Sequence, residues 1–121
     1  MVLVDTSIWI SHFREGNRHL RNLLTDEIVV CHPFVIGELA CGNIKNRNEV
    51  LSLLQLLPQA KTVEDDEILH FIETKRLMGL GIGLIDVHLL ASSLLTNALL
   101  WTSDKQLSIV AHRFNILYKG Q

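Results

Sequence analysis

Hydrophobic and polar positions along the chain alternate between two kinds of segment. Short β-branched and apolar runs at Val2–Val4, Ile28–Cys31 and Ala98–Trp101 read as buried strands. Ala60–Val63 and Ile116–Tyr118 read as further short strands. Between these runs the apolar residues take a helical spacing. Thr6 or Ser7 is positioned to cap a helix reaching about Arg14, and His19–Thr25 carries a second helical pattern. Pro33 suits the first turn of a helix that carries Glu38 and stops near Gly42. Glu49–Leu57 is helical and ends at Pro58. Glu64, Asp65 and Asp66 put negative charge at the start of a helix running to about Met78, where Gly79, Gly81 and Gly83 break it. Leu84–Thr96 is a strongly apolar helix, and Ser103 or Asp104 caps a last one to about Arg113.

Strands alternating with helices predict an α/β fold, a parallel sheet covered on both faces. Such sheets carry their sites at the carboxyl ends of the strands. Asp5 and Asp104 both fall there, just after a strand.

Four isolated acids then change the picture. Asp5, Glu38, Asp86 and Asp104 each sit in an apolar stretch. A lone carboxylate in such surroundings is costly, and burial pushes it towards protonation. Four of them predict a meeting point with a shared partner. Two carboxylates about 4 Å apart repel by roughly 4 kcal/mol at an effective dielectric near 20, so several pairs would rival the stability of a small domain. A divalent cation relieves that repulsion. All-oxygen donors without paired Cys or His favour Mg²⁺ or Mn²⁺ over Zn²⁺. Such an ion lowers the pKa of a bound water and polarises a phosphate oxygen. Phase supports Asp86: at about 100° per residue it shares one line of its helix with Leu90, Ser93 and Asn97, a partly polar line that predicts a pocket. The alternative for Asp5 and Asp104 is plain helix capping. Glu38 and Asp86 fall inside helices, where capping explains less.

Length and charge narrow the class. The 121 residues predict one domain over 1–121. A balance of 11 basic against 13 acidic residues, net charge -2, is a poor fit to general gripping of duplex DNA, but leaves room for RNA held in a local basic patch. Arg14, Arg18, Arg21, Lys45 and Arg47 are candidates for that patch, each as readily a solvated surface residue. Cys31 and Cys41 form no framework and read as buried, reduced thiols. No signal peptide is read at the N-terminus, and the apolar stretch near 84–101 is interrupted by Asp86, His88, Thr96 and Asn97. A cytoplasmic protein is the expectation. The six histidines show no pair at metal spacing and read as core or surface. The acidic run at 64–67 reads as a solvated helix start, and Trp9 as core or dimer surface.

At VDTSIWI (4–10), IGELACG (36–42), GLIDVHLLASS (83–93) and WTSDKQL (101–107) the chain resembles the PIN-domain family, and within it the VapC-type toxins of toxin–antitoxin pairs. The segments come in the family's order and span nearly the whole chain. The resemblance implies a three-layer α/β/α PIN-like fold, Mg²⁺- or Mn²⁺-dependent endoribonuclease activity and frequent homodimers. It matches Asp5, Glu38, Asp86 and Asp104 to the family's acidic positions, Thr6 to the hydroxyl after the first Asp, and Thr102 to the first position of its T-x-D element. The expected reaction is attack of a metal-activated water on a phosphodiester of cellular RNA. A cognate antitoxin, a tight protein inhibitor, is the expected partner. A haloacid-dehalogenase-type phosphatase needs a second acid two residues after Asp5, where Ser7 stands, and a response-regulator receiver is weaker still. The remaining alternative is a catalytically silent PIN-like module that binds RNA or protein.

Overall fold

The computed structural model describes residues 1–120. Three parallel strands form its sheet: β1 (Val2–Val4), β2 (Val29–Val30) and β3 (Leu99–Trp101), in the order β2-β1-β3. Val2 faces Val29 on one side and Leu99 on the other, and Val4 faces Trp101. Seven helices among the described residues complete a three-layer α/β/α architecture. They are α1 (Thr6–Glu15), α2 (Arg18–Thr25), α3 (Pro33–Cys41), α4 (Arg47–Leu56), α5 (Asp65–Lys75), α6 (Leu84–Thr96) and α7 (Lys105–Arg113).

The central strand has no solvated face: Val2, Leu3 and Val4 are all buried. A parallel sheet covered on both sides needs that uninterrupted apolar run. Helix α3 packs against α1 and α4, and α6 against α5 and β3. Leu89, Leu90, Leu20, Leu39 and Leu107 close the core around the strands. At about 2 kcal/mol for each fully buried aliphatic side chain, these leucines are what hold the layers together. Trp9 also lies in the core, only 2 % exposed.

Two of the expected strands shrink to single bridges. The segment after Pro58 touches the sheet only where Cys31 faces Gln59. The Cys31 N–H donates to the Pro58 carbonyl and the Ala60 N–H to the Cys31 carbonyl, both at 2.8 Å, after which the Lys61 N–H turns to Thr96 Oγ1 at 3.0 Å. The C-terminal segment touches it where Leu100 faces Leu117, through bonds from Leu100 N–H to Ile116 (2.7 Å) and from Tyr118 N–H to Leu100 (2.9 Å). Among the described residues no helix is long and apolar enough to cross a membrane.

Candidate active site

Strands β1 and β3 are parallel neighbours, so they end at the same edge of the sheet. The Asp5 N–H donates to the Trp101 carbonyl at 2.9 Å, locking the two exits side by side. The residues that follow must then share one small volume. Thr102 Oγ1 donates to Asp5 Oδ2 at 2.6 Å and accepts from the Asp104 N–H at 3.0 Å. This one hydroxyl therefore fixes two of the four acids.

Asp5 caps α1 itself, with Oδ1 accepting the Thr6 N–H at 2.7 Å. Neither Thr6 nor Ser7 takes the capping place expected of them. Asp5 is extended (φ -71°, ψ 157°) and already points its carboxylate at the first turn. That frees the Thr6 hydroxyl, which donates to Glu38 Oε1 at 2.6 Å and joins α1 to the middle of α3. Ser7 Oγ donates to Asp5 Oδ2 at 3.3 Å and accepts from the Ser103 N–H at the same distance. Asp104 caps α7 by accepting the Leu107 N–H at 2.9 Å. The capping reading of Asp5 and Asp104 is thus right as local structure, and it also aims both carboxylates at one place.

Asp86 stands in the first turn of α6 and accepts the Gly83 N–H through Oδ2 at 3.2 Å. Gly79 and Gly81 make the approach to this turn possible, with φ of 71° and 78°. Gly81 lies against Gln106 of α7, which ties the entry of α6 to the Asp104 helix. Three acids therefore sit at the N-terminal ends of α1, α6 and α7, where the helix dipoles favour negative charge. Of the line that Asp86 shares with Leu90, Ser93 and Asn97, Leu90 and Ser93 are fully buried, and Ser93 and Asn97 line a cavity of about 180 Å³ at the far end of α6 from Asp86.

Electrostatics joins all four. Burial raises the pKa of Asp86 above the usual carboxylate value, and the charges of Asp5, Asp104 and Glu38 raise it further, against the lowering effect of the Gly83 N–H. Those repulsions require the other three acids within electrostatic reach of Asp86. The donors to the four carboxylates are hydroxyls and backbone amides, which do not neutralise them. Burial is less even than the apolar sequence predicts: Asp5 is buried and Asp86 half-buried, whereas Glu38 and Asp104 are exposed. Among the described residues no three His, Cys, Asp or Glu side chains come together as a group that could hold a metal ion.

The histidines behave as core and surface residues. His32 caps α3, its Nδ1 accepting the Phe34 N–H at 3.0 Å, and its Nε2 meets Ser92 Oγ at 3.0 Å. His88 packs edge-on against Phe34. Ser7 was not among the site residues expected from the sequence. Its only signal was the pairing of two adjacent hydroxyls after Asp5, read as capping. Cys31 is buried and Cys41 is exposed, so the expectation of two buried thiols holds for one of them. Cys41 lies at the open end of α3.

Comparison with known proteins agrees with this fold. The PIN-domain family profile matches residues 2–113. Two curated relatives, both named Ribonuclease VapC32 and from two strains of Mycobacterium tuberculosis, are 49 % identical over 108 residues, covering 88 % of this chain and 87 % of the relative. With strand exits, hydroxyl and acids arranged as above and the match running through nearly its whole length, the chain belongs to the PIN-domain family.

Proposed function

We propose that the chain is a metal-dependent endoribonuclease of the toxin class, cutting cellular RNA in the cytoplasm until a cognate antitoxin protein binds it. The reading takes residues 1–121 as one PIN domain. The observation that carries it is geometric: at the paired exits of β1 and β3 one Thr102 hydroxyl bonds both Asp5 and the Asp104 N–H, and Thr6, next to Asp5, bonds Glu38. The VapC32 ribonucleases at 49 % identity support RNA as the substrate.

The donor set fits a hard divalent cation. It is all oxygen, and its net charge is uncompensated by protein. An open cluster also suits Mg²⁺, which keeps several waters and binds through one or two carboxylates rather than a closed cage. Asp5, Glu38, Asp86 and Asp104 would hold Mg²⁺ or Mn²⁺, which supplies Lewis-acid polarisation of a phosphate oxygen and a more acidic water. Within the protein, Thr102 orients Asp5, and Thr6 orients Glu38. The Gly83 and Leu107 amides fix one oxygen each of Asp86 and Asp104. The fixed carboxylates accept the proton released when water attacks the phosphodiester, and no side chain need form a covalent link to RNA.

The test is RNA cleavage with Mg²⁺ or Mn²⁺, with a chelator, and with Asp86→Asn. Cleavage that survives both the chelator and the substitution would overturn the reading. A homodimer is also proposed. Its support is apolar surface left open on α4 and around α5, with Leu56 81 %, Leu69 67 % and Met78 53 % exposed. Light scattering across protein concentrations tests it, and a strict monomer would end it.

A further inference from the structure

The acidic cluster does not end at Glu38. On the far side of that side chain lies an open cavity of about 340 Å³ between α1 and the loop joining α3 to α4. Ile10, Phe13 and Ile44 line it with apolar surface, and Arg14, Lys45 and Glu38 supply its charge. The volume falls in the range of small-ligand sites, about 300–1,000 Å³. Thr6, Ile10 and Arg14 follow one another at intervals of four along α1, so they share a face of that helix. That face runs from the Thr6–Glu38 hydrogen bond to the Arg14 guanidinium, roughly 12 Å along the axis at 1.5 Å per residue.

The five basic residues that the sequence offers for an RNA patch differ in what they do. Arg47 is tied to the Ala40 carbonyl, through Nε at 3.2 Å and Nη2 at 2.9 Å. Arg18 lines a separate polar depression with Ser11, Glu15 and Asn22, and Arg21 lies beside Gly16 and raises the local positive potential at His12. Arg14 and Lys45 are exposed and line the cavity that Glu38 also lines.

We propose that this cavity is the subsite for the RNA strand next to the scissile phosphate. Arg14 and Lys45 pair with a neighbouring phosphate, and the Ile10–Phe13–Ile44 surface receives the adjoining base. The inference rests on the nuclease reading and names how that site holds its substrate. Charge order favours a nucleic acid strand. A phosphate at the carboxylates requires a bridging cation, whereas the next phosphate along the strand meets side-chain cations directly. A guanidinium can grip phosphate oxygens bidentately. An acidic peptide would satisfy Arg14 and Lys45 but has no need of the carboxylates beside them.

The probe is a fluorescein-labelled single-stranded RNA 12-mer of mixed sequence, followed by anisotropy on the full chain carrying Asp86→Asn so that the RNA survives. Adding Arg14→Ala and Lys45→Ala should raise the Kd about tenfold. It should also flatten the slope of log K against log salt by about 1.4, two contacts at about 0.7 each for single strands. Lys61→Ala with Lys75→Ala removes the same charge elsewhere and should leave the Kd within about twofold. Arg14→Lys with Lys45→Arg keeps both cations and should keep the salt slope; thermal melting checks that each variant is folded. An unchanged Kd, or an equal loss from the Lys61/Lys75 pair, overturns the proposal. So does a labelled 12-residue poly-glutamate peptide that binds as tightly as the RNA and loses as much on the same substitutions. Failure here with cleavage still abolished by Asp86→Asn leaves the nuclease reading standing. RNA held through Arg14 and Lys45 by a native chain that never cuts it would sink the nuclease reading and keep the subsite.

Discussion

Helices α3 and α6 each supply side chains to two polar clusters. Glu38 of α3 and Asp86 of α6 go to the acidic end of the sheet. His32, which caps α3, meets Ser92 of α6, while Phe34 of α3 meets His88 of α6. In the second cluster His32 has a partner at each ring nitrogen, while His88 packs on the Phe34 ring. His32 Nδ1 accepts from the Phe34 N–H, so Nε2 carries the ring proton and donates it to Ser92. His32 and Ser92 are fully buried. In the acidic cluster each carboxylate oxygen that is bonded faces a neutral donor, a hydroxyl or a backbone amide. A buried polar group is stable when its partners are complete. Leaving a cluster incomplete costs stability, and the same two helices do both.

The largest expected effect separates the clusters by function. Asp86→Asn and Asp5→Asn should each lower RNA cleavage by about a hundred- to a thousandfold or more. Asp86→Asn should leave the melting temperature unchanged or higher, because it removes one charge from a repelling set and keeps an oxygen for the Gly83 N–H. Cleavage assays and thermal melts on the same preparation read both. A clear loss of stability would mean that the repulsion is already neutralised within the protein.

Acid should act on the histidine cluster in the opposite way. Burial, with a smaller contribution from the His88 charge, pushes the His32 pKa down from 6.5 to about 4. The unfolded chain then binds a proton that the folded chain refuses. Stability from this group is complete above about pH 6.5 and falls as pH drops from 6.5 to about 4. The loss is about 3 kcal/mol at ~1.4 kcal/mol per unit. His88, also lowered chiefly by burial, adds to it in the same direction. Urea melts between pH 7 and 4 measure the slope, and His32→Gln should flatten it. A flat profile in the native chain would show that His32 is reached by water.

Thr102→Val removes the hydroxyl that serves Asp5 and Asp104 together. Loss of such an orienting partner commonly costs about 10–100-fold, and about tenfold in cleavage is expected, with Thr102→Ser restoring most of it. Equal activity in all three would leave Thr102 a structural residue only. The smallest effect is a thiol count. Cys31, beside His32, has its pKa pushed up to about 11 by burial, against a backbone hydrogen bond that lowers it. Cys41, one turn beyond Glu38, is exposed. A disulfide-exchange reagent should titrate one thiol in the folded chain and both in denaturant. Two fast thiols would mean that α3 and α6 open readily.

The sequence alone carried whatever depends on near neighbours. Runs of apolar residues gave β1, β2 and β3, and Leu84–Thr96 was legible as a helix to its ends because its apolar character is sustained between a glycine cluster and Asn97. The positions of four acids against apolar sequence were visible for the same reason, since a charge in such a stretch is a local anomaly. Partnerships were not visible. Thr6 reaches Glu38 across 32 positions and Thr102 reaches Asp5 across 97. Only the order β2-β1-β3, with two parallel exits locked together, brings those atoms into contact. The same holds for exposure. Glu38 and Cys41 lie in one apolar segment yet face solvent, while Val35 and Leu39 of that helix are buried. Capping went to Asp5 rather than to a neighbouring hydroxyl because Asp5 is the extended residue at the exit of β1, which leaves the Thr6 hydroxyl free to reach Glu38 on another helix. Periodicity speaks for residues within a turn of one another; which side chains meet, and which of them water reaches, is decided by the packing of distant elements.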